Sequence, residues 1–385
     1  MAATKLEMRT SERGALLGCA QKWYWAHIEE LRPNRASNPL WFGSAVHVAL
    51  AEWYLKGLKR GPHPAETFNK FIDGERTMLV TNEDEEQEYY DARELGTGML
   101  EHYVDTYGKD DSWDVIATEH AGKIVLPRPQ MKIFGRVRPA LARWLTYHFT
   151  WDGIFRDLND GQLYLMEHKT AAAIDTNHLP LDNQAGSYWA IASRSLVKQG
   201  LIGENEDIVG IRYNFLRKAL KDTRPQDEDG LYHNQPQKQH YIEAIGAALA
   251  EGPQDKKGGS WLGPGLTGKE TLAQLSDIAM KMGLTVLGDI SKSQPPAYFH
   301  REDVYRTRAE RVTQIARIQD EALFSEAYRS GSLPITKRPS KDCAWCPFRR
   351  MCELDEQGDQ EAVEAFKEAM FHTESPYEVY RIKSA

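Results

Sequence analysis

The residues from Trp151 to Thr170 read WDGIFRDLNDGQLYLMEHKT, with Asp152 near one end and Glu167 and Lys169 near the other. Both halves have strand-like patterning and enclose the turn sequence Asn159-Asp160-Gly161, so they predict a β-hairpin. A loop centred on Asn159-Asp160 places Asp152 opposite Glu167, and a loop centred one residue later places Asp152 opposite Lys169. In either register the Cβ atoms of the two acids lie about 5–8 Å apart, so one cation could bridge them.

The chemistry of this hairpin depends on which side chains share a face. Glu167 and Lys169 are two residues apart on one strand and therefore point to the same side. Two carboxylates that hold Mg²⁺ or Mn²⁺ suit phosphodiester hydrolysis, because the metal acidifies water and neutralises the phosphate while the lysine orients the attacking hydroxide. A salt-bridged Asp, Glu and Lys on a solvent-facing strand would give the same pattern. The pattern alone leaves both interpretations open.

The elements expected around the hairpin follow the order α-β-β-β-α-β, which is typical of an α/β core. They are helices within 11–58, with a break at 33–39, and within 65–104, then strands at 113–126, 145–156 and 162–170, a helix at 182–198 and a strand at 208–216. Later helices are expected at 240–251, 269–282, 301–329 and 353–374. Ser44 is expected to cap the second N-terminal helix.

Two further motifs flank the hairpin. Gly43-Ser44-Ala45-Val46-His47 has the spacing Gly-x-x-x-His, and Gln184-Ala185-Gly186-Ser187-Tyr188 places Gln184 and Tyr188 on one helical face. With Asp152 and Glu167-His168-Lys169, these motifs resemble the RecB-type branch of the PD-(D/E)XK nuclease superfamily, which includes the CRISPR-associated RecB-like exonucleases and the AddB nuclease domain. The resemblance covers residues 11–352 except 221–296. It departs from the family pattern at Trp151, which replaces the proline before the aspartate.

The resemblance implies an α/β restriction-endonuclease-like core, in which a mixed sheet is flanked by helices. It also implies the roles of the site residues. His47, Asp152, Glu167 and the backbone carbonyl of His168 would bind Mg²⁺ or Mn²⁺, Lys169 would position the nucleophile, and Gln184 and Tyr188 would orient the substrate or the lysine. Glu119, on the preceding strand, could add an acidic group, but a solvated strand carboxylate is the favoured interpretation.

The four cysteines form a compact triplet, Cys343-x₂-Cys346-x₅-Cys352, and a distant Cys19. Four thiolates suit either zinc or an iron–sulfur cluster, and the spacing does not separate these two possibilities from each other. Four unligated thiols remain a third possibility. The pattern resembles the iron–sulfur staple of AddB and the CRISPR-associated exonucleases, which implies a structural 4Fe-4S cluster, with structural Zn²⁺ as the alternative.

The ten tryptophans are expected mostly in the core, although some could stack on unpaired bases. Trp345, inside the cysteine turn, is interpreted as a shield for a cluster. The resemblance and the composition together predict one composite nuclease domain with four regions. These are an N-terminal helical region with Cys19 and His47 (1–110), the nuclease core (111–220), an insertion or flap (221–300), and C-terminal helices with the cysteine cluster (301–385).

The net charge of −8 argues against a protein that binds nucleic acid simply by being basic. Residues 83–94 and 353–374 carry −6 and −7, however, which leaves +5 on the remainder. The segment 128–143 has five cations and no acid, and it leads into the hairpin where a phosphate backbone could bind. These cations are Arg128, Lys132, Arg136, Arg138 and Arg143.

With 41% apolar and 10% aromatic residues, the chain has a globular composition. The sequence lacks a long apolar run, so we expect no membrane association and a cytoplasmic protein, in the host cytoplasm if it is phage-encoded. The expected function is a metal-dependent DNA exonuclease that acts on single strands or DNA ends in recombination, repair or phage DNA processing. One alternative is a DNA-end-binding protein, or a partner of a helicase or recombinase, with an auxiliary nuclease fold. Another is a zinc-stapled non-catalytic scaffold.

Overall fold

The computed structural model describes residues 6–35, 38–127, 131–133, 136–138, 144–251 and 266–377. Its strands are β1 (Leu6–Arg9), β2 (Leu31–Pro33), β3 (Trp113–Pro127), β4 (Met131–Ile133), β5 (Arg136–Arg138), β6 (Trp144–Asp157), β7 (Leu163–Ala171), β8 (Ile208–Arg217), β9 (Phe299–Tyr305) and β10 (Phe371–Thr373). Its α-helices are α1 (Thr10–Gly18), α2 (Ala20–Trp23), α3 (Asn38–Trp53), α4 (Pro64–Leu79), α5 (Glu83–Tyr107), α6 (Asn183–Lys198), α7 (Lys238–Glu251), α8 (Leu272–Lys281), α9 (Arg308–Arg329), α10 (Arg349–Glu356) and α11 (Gln360–Met370).

The central sheet is mixed, as the predicted fold requires. Its strands follow the order β1-β6-β7-β8-β9, and β3 also pairs with β6. The pairs β1–β6 and β7–β8 are parallel, whereas β3–β6, β6–β7 and β8–β9 are antiparallel. The helix α6 lies between β7 and β8 in sequence, because parallel neighbours need a crossover connection. The predicted α/β core with a mixed sheet and flanking helices is confirmed.

The hairpin has the first of the two predicted registers. Gly153 pairs with Met166, and Asp157 donates its N–H to the carbonyl of Gln162 at 3.0 Å. The loop is therefore centred on Asn159-Asp160, and Asp152 and Glu167 occupy facing positions on the two strands. A shift of this register would have placed Asp152 against Lys169 instead.

The strand β7 is buried on both faces because its side chains alternate between two apolar layers. Leu163 and Leu165 pack with apolar residues of α1, α6 and α9. Tyr164 and Met166 pack with the helices α3, α4 and α5. Burial of an apolar side chain of this size stabilises the fold by about 1.5–3 kcal/mol, so packing on both sides holds the strand that carries Glu167.

The predicted helix at 301–329 is wrong over its first seven residues. Residues Phe299–Tyr305 form β9, which pairs with β8 along its length. The helix α9 begins only at Arg308, where Thr307 and Glu310 exchange side-chain-to-backbone hydrogen bonds in a capping box. The sequence Thr-x-x-Glu is a readable helix start, and it marks the boundary that the hydrophobic pattern missed.

Several other predicted boundaries are also corrected. Ser44 lies inside α3 rather than at its start, and the predicted helix at 65–104 is two helices, α4 and α5. Asn82 ends the break between them, because its side chain accepts a hydrogen bond from the N–H of Glu85. The acidic helix predicted at 353–374 is likewise divided into α10 and α11. The short strand β1 was not predicted, since four residues show too little periodicity.

Contacts divide the chain into two compact units, residues 1–220 with 299–385 and residues 221–298. The second unit corresponds to the region interpreted as an insertion. Its helices α7 and α8 contact each other through a small apolar cluster that includes Ile245 and Leu275. The helix α8 begins at a capping box formed by Thr271 and Gln274.

Two expectations concern the surroundings of the protein. The basic segment 128–143 lies outside the residues whose side chains the structure describes, so its place beside the hairpin stays a prediction. Among the described residues, no helix has both the length and the apolar character needed to cross a bilayer.

Candidate active site

Three acidic side chains come from three adjacent strands of the central sheet. The register of β3 against β6 places Glu119 level with Asp152. The hairpin register places Glu167 level with Asp152 on the other side. The N–H of His168 donates to Oδ2 of Asp152 at 2.7 Å, which holds the aspartate against β7. Pairing of β3, β6 and β7 therefore assembles this acidic row from residues 48 positions apart in the sequence.

His47 reaches the row from α3. One helical turn earlier, Gly43 faces β7, because a Cβ there would lie in ordinary contact, 3.6 Å, with Oγ1 of Thr170. Nδ1 of His47 lies 3.3 Å from Oδ1 of Asp152 and 3.7 Å from Oε1 of Glu119. One potential ligand atom from each of these three residues lies within 4.8 Å of the other two. Within the described ranges, no other three His, Cys, Asp or Glu residues meet so closely.

Glu119 has an unusual backbone conformation for a strand residue. Its φ angle is +41°, in the left-handed region that residues other than glycine seldom adopt. Such a conformation costs about 1–3 kcal/mol and is typical of functional sites. Glu119 is about one-third exposed, yet it lies in the group with His47 and Asp152, where the second interpretation of this residue placed an additional acid. Neither motif nor spacing signals this residue, because its place depends on the pairing of β3 with β6.

The charged groups of the row strongly shift one another's pKa values. Burial alone would lower the pKa of His47, but Asp152 and Glu119 outweigh this effect and raise the pKa to about 10. Burial opposes ionisation of Asp152, yet His47 and the N–H of His168 bring the pKa of Asp152 below its usual range. The histidine thus acts as the positive partner of the two carboxylates in this structure.

Glu167 and Lys169 form a second, directly connected pair. Nζ of Lys169 lies 2.6 Å from Oε1 of Glu167 and 3.5 Å from Oε1 of Gln184. Burial raises the pKa of Glu167 to about 7, although Lys169 pulls it down, and Asp152 raises it further. Oε2 of Glu167 is buried and has no hydrogen-bond partner among the described residues. An ionised carboxylate oxygen in that position needs a positive partner, which a bound cation would supply.

The structure places Gln184 and Tyr188 differently, although they share one motif. Gln184 is exposed near the start of α6 and reaches Lys169. Tyr188 is buried, with 8% of its surface exposed. Burial and the nearby Glu167 raise the pKa of Tyr188 well above its usual value. Gln184 is therefore in contact with the lysine of the site, whereas Tyr188 faces the packed interior.

Sequence reasoning missed a buried network behind His168. Nδ1 of His168 accepts a hydrogen bond from Nδ2 of Asn214 at 2.9 Å, and Oδ1 of Asn214 accepts from Arg301. Arg301 also forms an ion pair with Asp110 at 2.6 Å. The ring of His168 stacks on Tyr54, which directly follows α3. This network connects β9, β8 and β7 to the helix that carries His47.

A family model gives the chain an identity that agrees with this geometry. The model of the PD-(D/E)XK nuclease superfamily matches residues 11–353. The chain belongs to this superfamily. No curated protein matches the sequence closely enough to add a more specific relative. Membership makes the protein a metal-dependent nuclease, a hydrolase with DNA as its substrate.

The residues at the site of this PD-(D/E)XK chain fit a divalent cation. Carboxylate oxygens are the ligands that Mg²⁺ prefers, and an imidazole among them also suits Mn²⁺. The group of His47, Glu119 and Asp152 offers two oxygens and one nitrogen at close range. The unpartnered Oε2 of Glu167 is a further buried acceptor that a cation would satisfy.

The four cysteines line one cavity of about 1030 Å³, which is also bordered by Asn183 and Gln184. Burial raises the pKa of the Cys352 thiol to about 11, and the other three thiols raise it further. The same two effects raise the pKa of Cys346. The four thiols therefore border the same cavity, although they do not form a group as close as that of His47.

Proposed function

We propose that this nuclease is a DNA exonuclease of the RecB type, which acts on single strands or DNA ends in recombination, repair or phage DNA processing. The convergence of His47, Glu119 and Asp152 beside Glu167 and Lys169 supports the proposal. A helix-borne histidine next to the strand carboxylates is the feature on which the RecB-type resemblance rests. The protein would act in the cytoplasm, with a helicase or recombinase as a possible partner that supplies unwound strands.

The chain's own residues would perform distinct tasks in this reaction. A divalent cation held by His47, Asp152, Glu167 and the carbonyl of His168 would acidify a water molecule and neutralise the scissile phosphate. Glu119 would enlarge that donor set, because its carboxylate lies within the same group. The cation that these ligands hold would thus act on one scissile phosphate.

Lys169 would orient the attacking hydroxide or stabilise charge on the phosphate. Its ammonium is held between Glu167 and Gln184, so it enters the reaction already positioned. Burial lowers the pKa of Lys169, but Glu167 outweighs this effect and keeps the ammonium charged. Gln184 would orient the lysine directly. Tyr188, which is buried, would act through the packing of α6 rather than on the substrate.

The four cysteines would hold a 4Fe-4S cluster, with Zn²⁺ as the alternative occupant. Their common cavity and their mutual influence on thiol pKa support a shared ligand. Cys19 lies between α1 and α2, and the other three lie between α9 and the end of α10. A cluster bound to all four would join the two ends of the domain, because metal binding free energy is also folding free energy.

Digestion of labelled DNA tests the proposed activity. Linear single- and double-stranded DNA, labelled at the 5′ or the 3′ end, is incubated with Mg²⁺, with Mn²⁺ or with EDTA. Circular single-stranded DNA and linear RNA of matched length serve as controls. We expect metal-dependent loss of linear single strands, release of short products, and an intact circle. Cleavage of the circle would contradict the exonuclease proposal, and intact linear DNA with both metals would favour an end-binding protein.

A further inference from the structure

The loop that carries the cysteine triplet presents one large aromatic side chain to solvent. Trp345, at the end of a 3₁₀ helix formed by Lys341–Trp345, is 82% exposed. Phe348, three residues later, is only 2% exposed and packs against Trp25 and Phe371. The interpretation of Trp345 as a shield for a cluster is therefore wrong, because a ring so exposed covers little of the protein.

This exposure is unusual for a tryptophan in a chain whose other tryptophans supply much of the core. Trp23, Trp151 and Trp189 are all buried almost completely. Within the described residues, Trp345 forms no ring–ring or cation–π contact. Phe348 anchors the loop in the protein, while the ring of Trp345 lies on the surface. A flat apolar surface of this kind suits stacking by a planar ligand.

The charge around Trp345 indicates which planar ligand fits. Residues 337–350 contain five basic residues and one acidic residue. Lys337 pairs with Asp355, and the two arginines at 349 and 350 share Glu353. Lys341 and Lys22 are exposed and form no ion pair with any residue that the structure describes. Positive charge beside an exposed ring is the combination that binds single-stranded nucleic acid.

The loop of Trp345 borders the same cysteine-lined cavity. Its lining includes Asp342 and Cys343 of this loop as well as Asn183 and Gln184 of α6. Gln184 in turn contacts Lys169. Lys22 and Arg338 also border the cavity, together with the acidic residues Asp342, Glu353 and Glu356. The loop that carries Trp345 and the helix residue that contacts Lys169 therefore border one cavity.

We propose that Trp345 is a stacking platform for an unpaired base of single-stranded DNA, whose phosphates contact Lys341 and Lys22. This inference rests on the proposed nuclease function, because it names the form of the substrate that the site receives. Stacking on an aromatic ring accepts any base, so the platform would select single strands without selecting a sequence.

Binding measured without cleavage tests this platform. The probe is fluorescein-labelled oligothymidylate of 20 nucleotides, and anisotropy is measured with Ca²⁺ in place of Mg²⁺ or Mn²⁺. Trp345→Ala is expected to weaken binding by about 5- to 150-fold, the range that loss of one stacked base produces. Trp345→Phe keeps an aromatic ring and should bind within about threefold of the unchanged protein, since Phe also stacks. Phe324→Ala, which removes a 52% exposed ring of α9 outside the cavity lining, is the matched control.

The salt dependence of binding separates stacking from charge. Lys341→Ala should reduce the slope of log Kd against log salt by about 0.7, the value for one phosphate contact on a single strand. Trp345→Ala should leave that slope unchanged. Affinity of Trp345→Ala equal to that of Phe324→Ala would overturn the platform, and so would failure of the unchanged protein to bind the oligonucleotide. Binding that depends on Trp345 in a protein that cleaves no DNA would overturn the exonuclease proposal and leave the platform standing.

Discussion

The acidic row and the cysteine-lined cavity both bring distant residues together, but only the row is close to complete by itself. In the row, hydrogen bonds and ion pairs already connect His47, Asp152 and the N–H of His168. In the cavity, the thiols of Cys346 and Cys352 have raised pKa values and remain protonated in the absence of a metal. Strand pairing can therefore assemble an oxygen-ligand site before the cation binds. Cation binding removes protons at both sites, from the thiols in the cavity and from His47, whose pKa is raised to about 10.

The largest effect is expected for Lys169, whose replacement should affect catalysis much more than folding. Lys169→Ala should lower kcat on linear single-stranded DNA by about 10³-fold, because groups that assist proton transfer or charge stabilisation contribute about 10²- to 10⁴-fold. The melting temperature is measured in parallel, because the variant also leaves the buried carboxylate of Glu167 without its ammonium partner. Lys292→Ala, an exposed lysine of the second compact unit, is the matched control.

Asp152→Ala should have a comparable effect for a different reason, because it removes an acid of the row rather than the ammonium. Both variants should retain a native circular dichroism spectrum. Undiminished cleavage by either variant would contradict the assignment of the site.

The next effect concerns the cavity, where the metal is expected to be structural. Anaerobically purified protein should be brown and contain iron, and Cys352→Ser should lose the iron and melt more than about 5 °C lower, because binding free energy is lost from folding. Elemental analysis and thermal unfolding provide the measurements. A content of one zinc per chain would replace the iron–sulfur proposal by the zinc alternative. Absence of both iron and zinc would exclude a metal staple.

A smaller effect is expected at Glu119, which tests whether the row extends to β3. Glu119→Gln should raise the Mn²⁺ concentration for half-maximal activity by about tenfold, since groups around a metal site affect affinity by about 10- to 100-fold. Asp114→Asn, on the same strand but away from the row, is the control. An equal metal requirement in both variants would mean that Glu119 lies near the cation without contributing to its binding.

The smallest effect concerns His27, which borders the cysteine-lined cavity. Burial and the nearby Arg32 lower its pKa to about 3 in the folded protein, so it is neutral at pH 7. Because the unfolded pKa is about 6.5, protonation favours unfolding, and this residue's contribution to stability is full above pH 6.5 and is lost as the pH falls toward 3. Between pH 6.5 and 5, the free energy of unfolding should fall by about 2 kcal/mol more in the unchanged protein than in His27→Gln. Urea titrations at both pH values measure this difference. An equal loss of unfolding free energy in both proteins would show that His27 has its ordinary pKa in the folded protein.

The sequence by itself determined the residue types of the site and the elements that carry most of them. The turn Asn159-Asp160-Gly161 predicted the hairpin, and the spacings of Gly43 to His47 and of Gln184 to Tyr188 predicted helical faces. These are local signals, because turns and helical periodicity depend on residues only a few positions apart. The same signals could not choose between two hairpin registers, and they missed β9, whose partner β8 lies far away in the sequence.

Only the tertiary structure decided which of these residues meet. It brought Glu119 level with Asp152 through the pairing of β3 with β6, and it buried Tyr188 while leaving Gln184 beside Lys169. It also turned Trp345 toward solvent, whereas the sequence suggested a covered ring. The physical reason is common to all of these residues. Register between strands and burial of a side chain depend on packing between distant segments, and no local pattern of residues encodes that packing by itself.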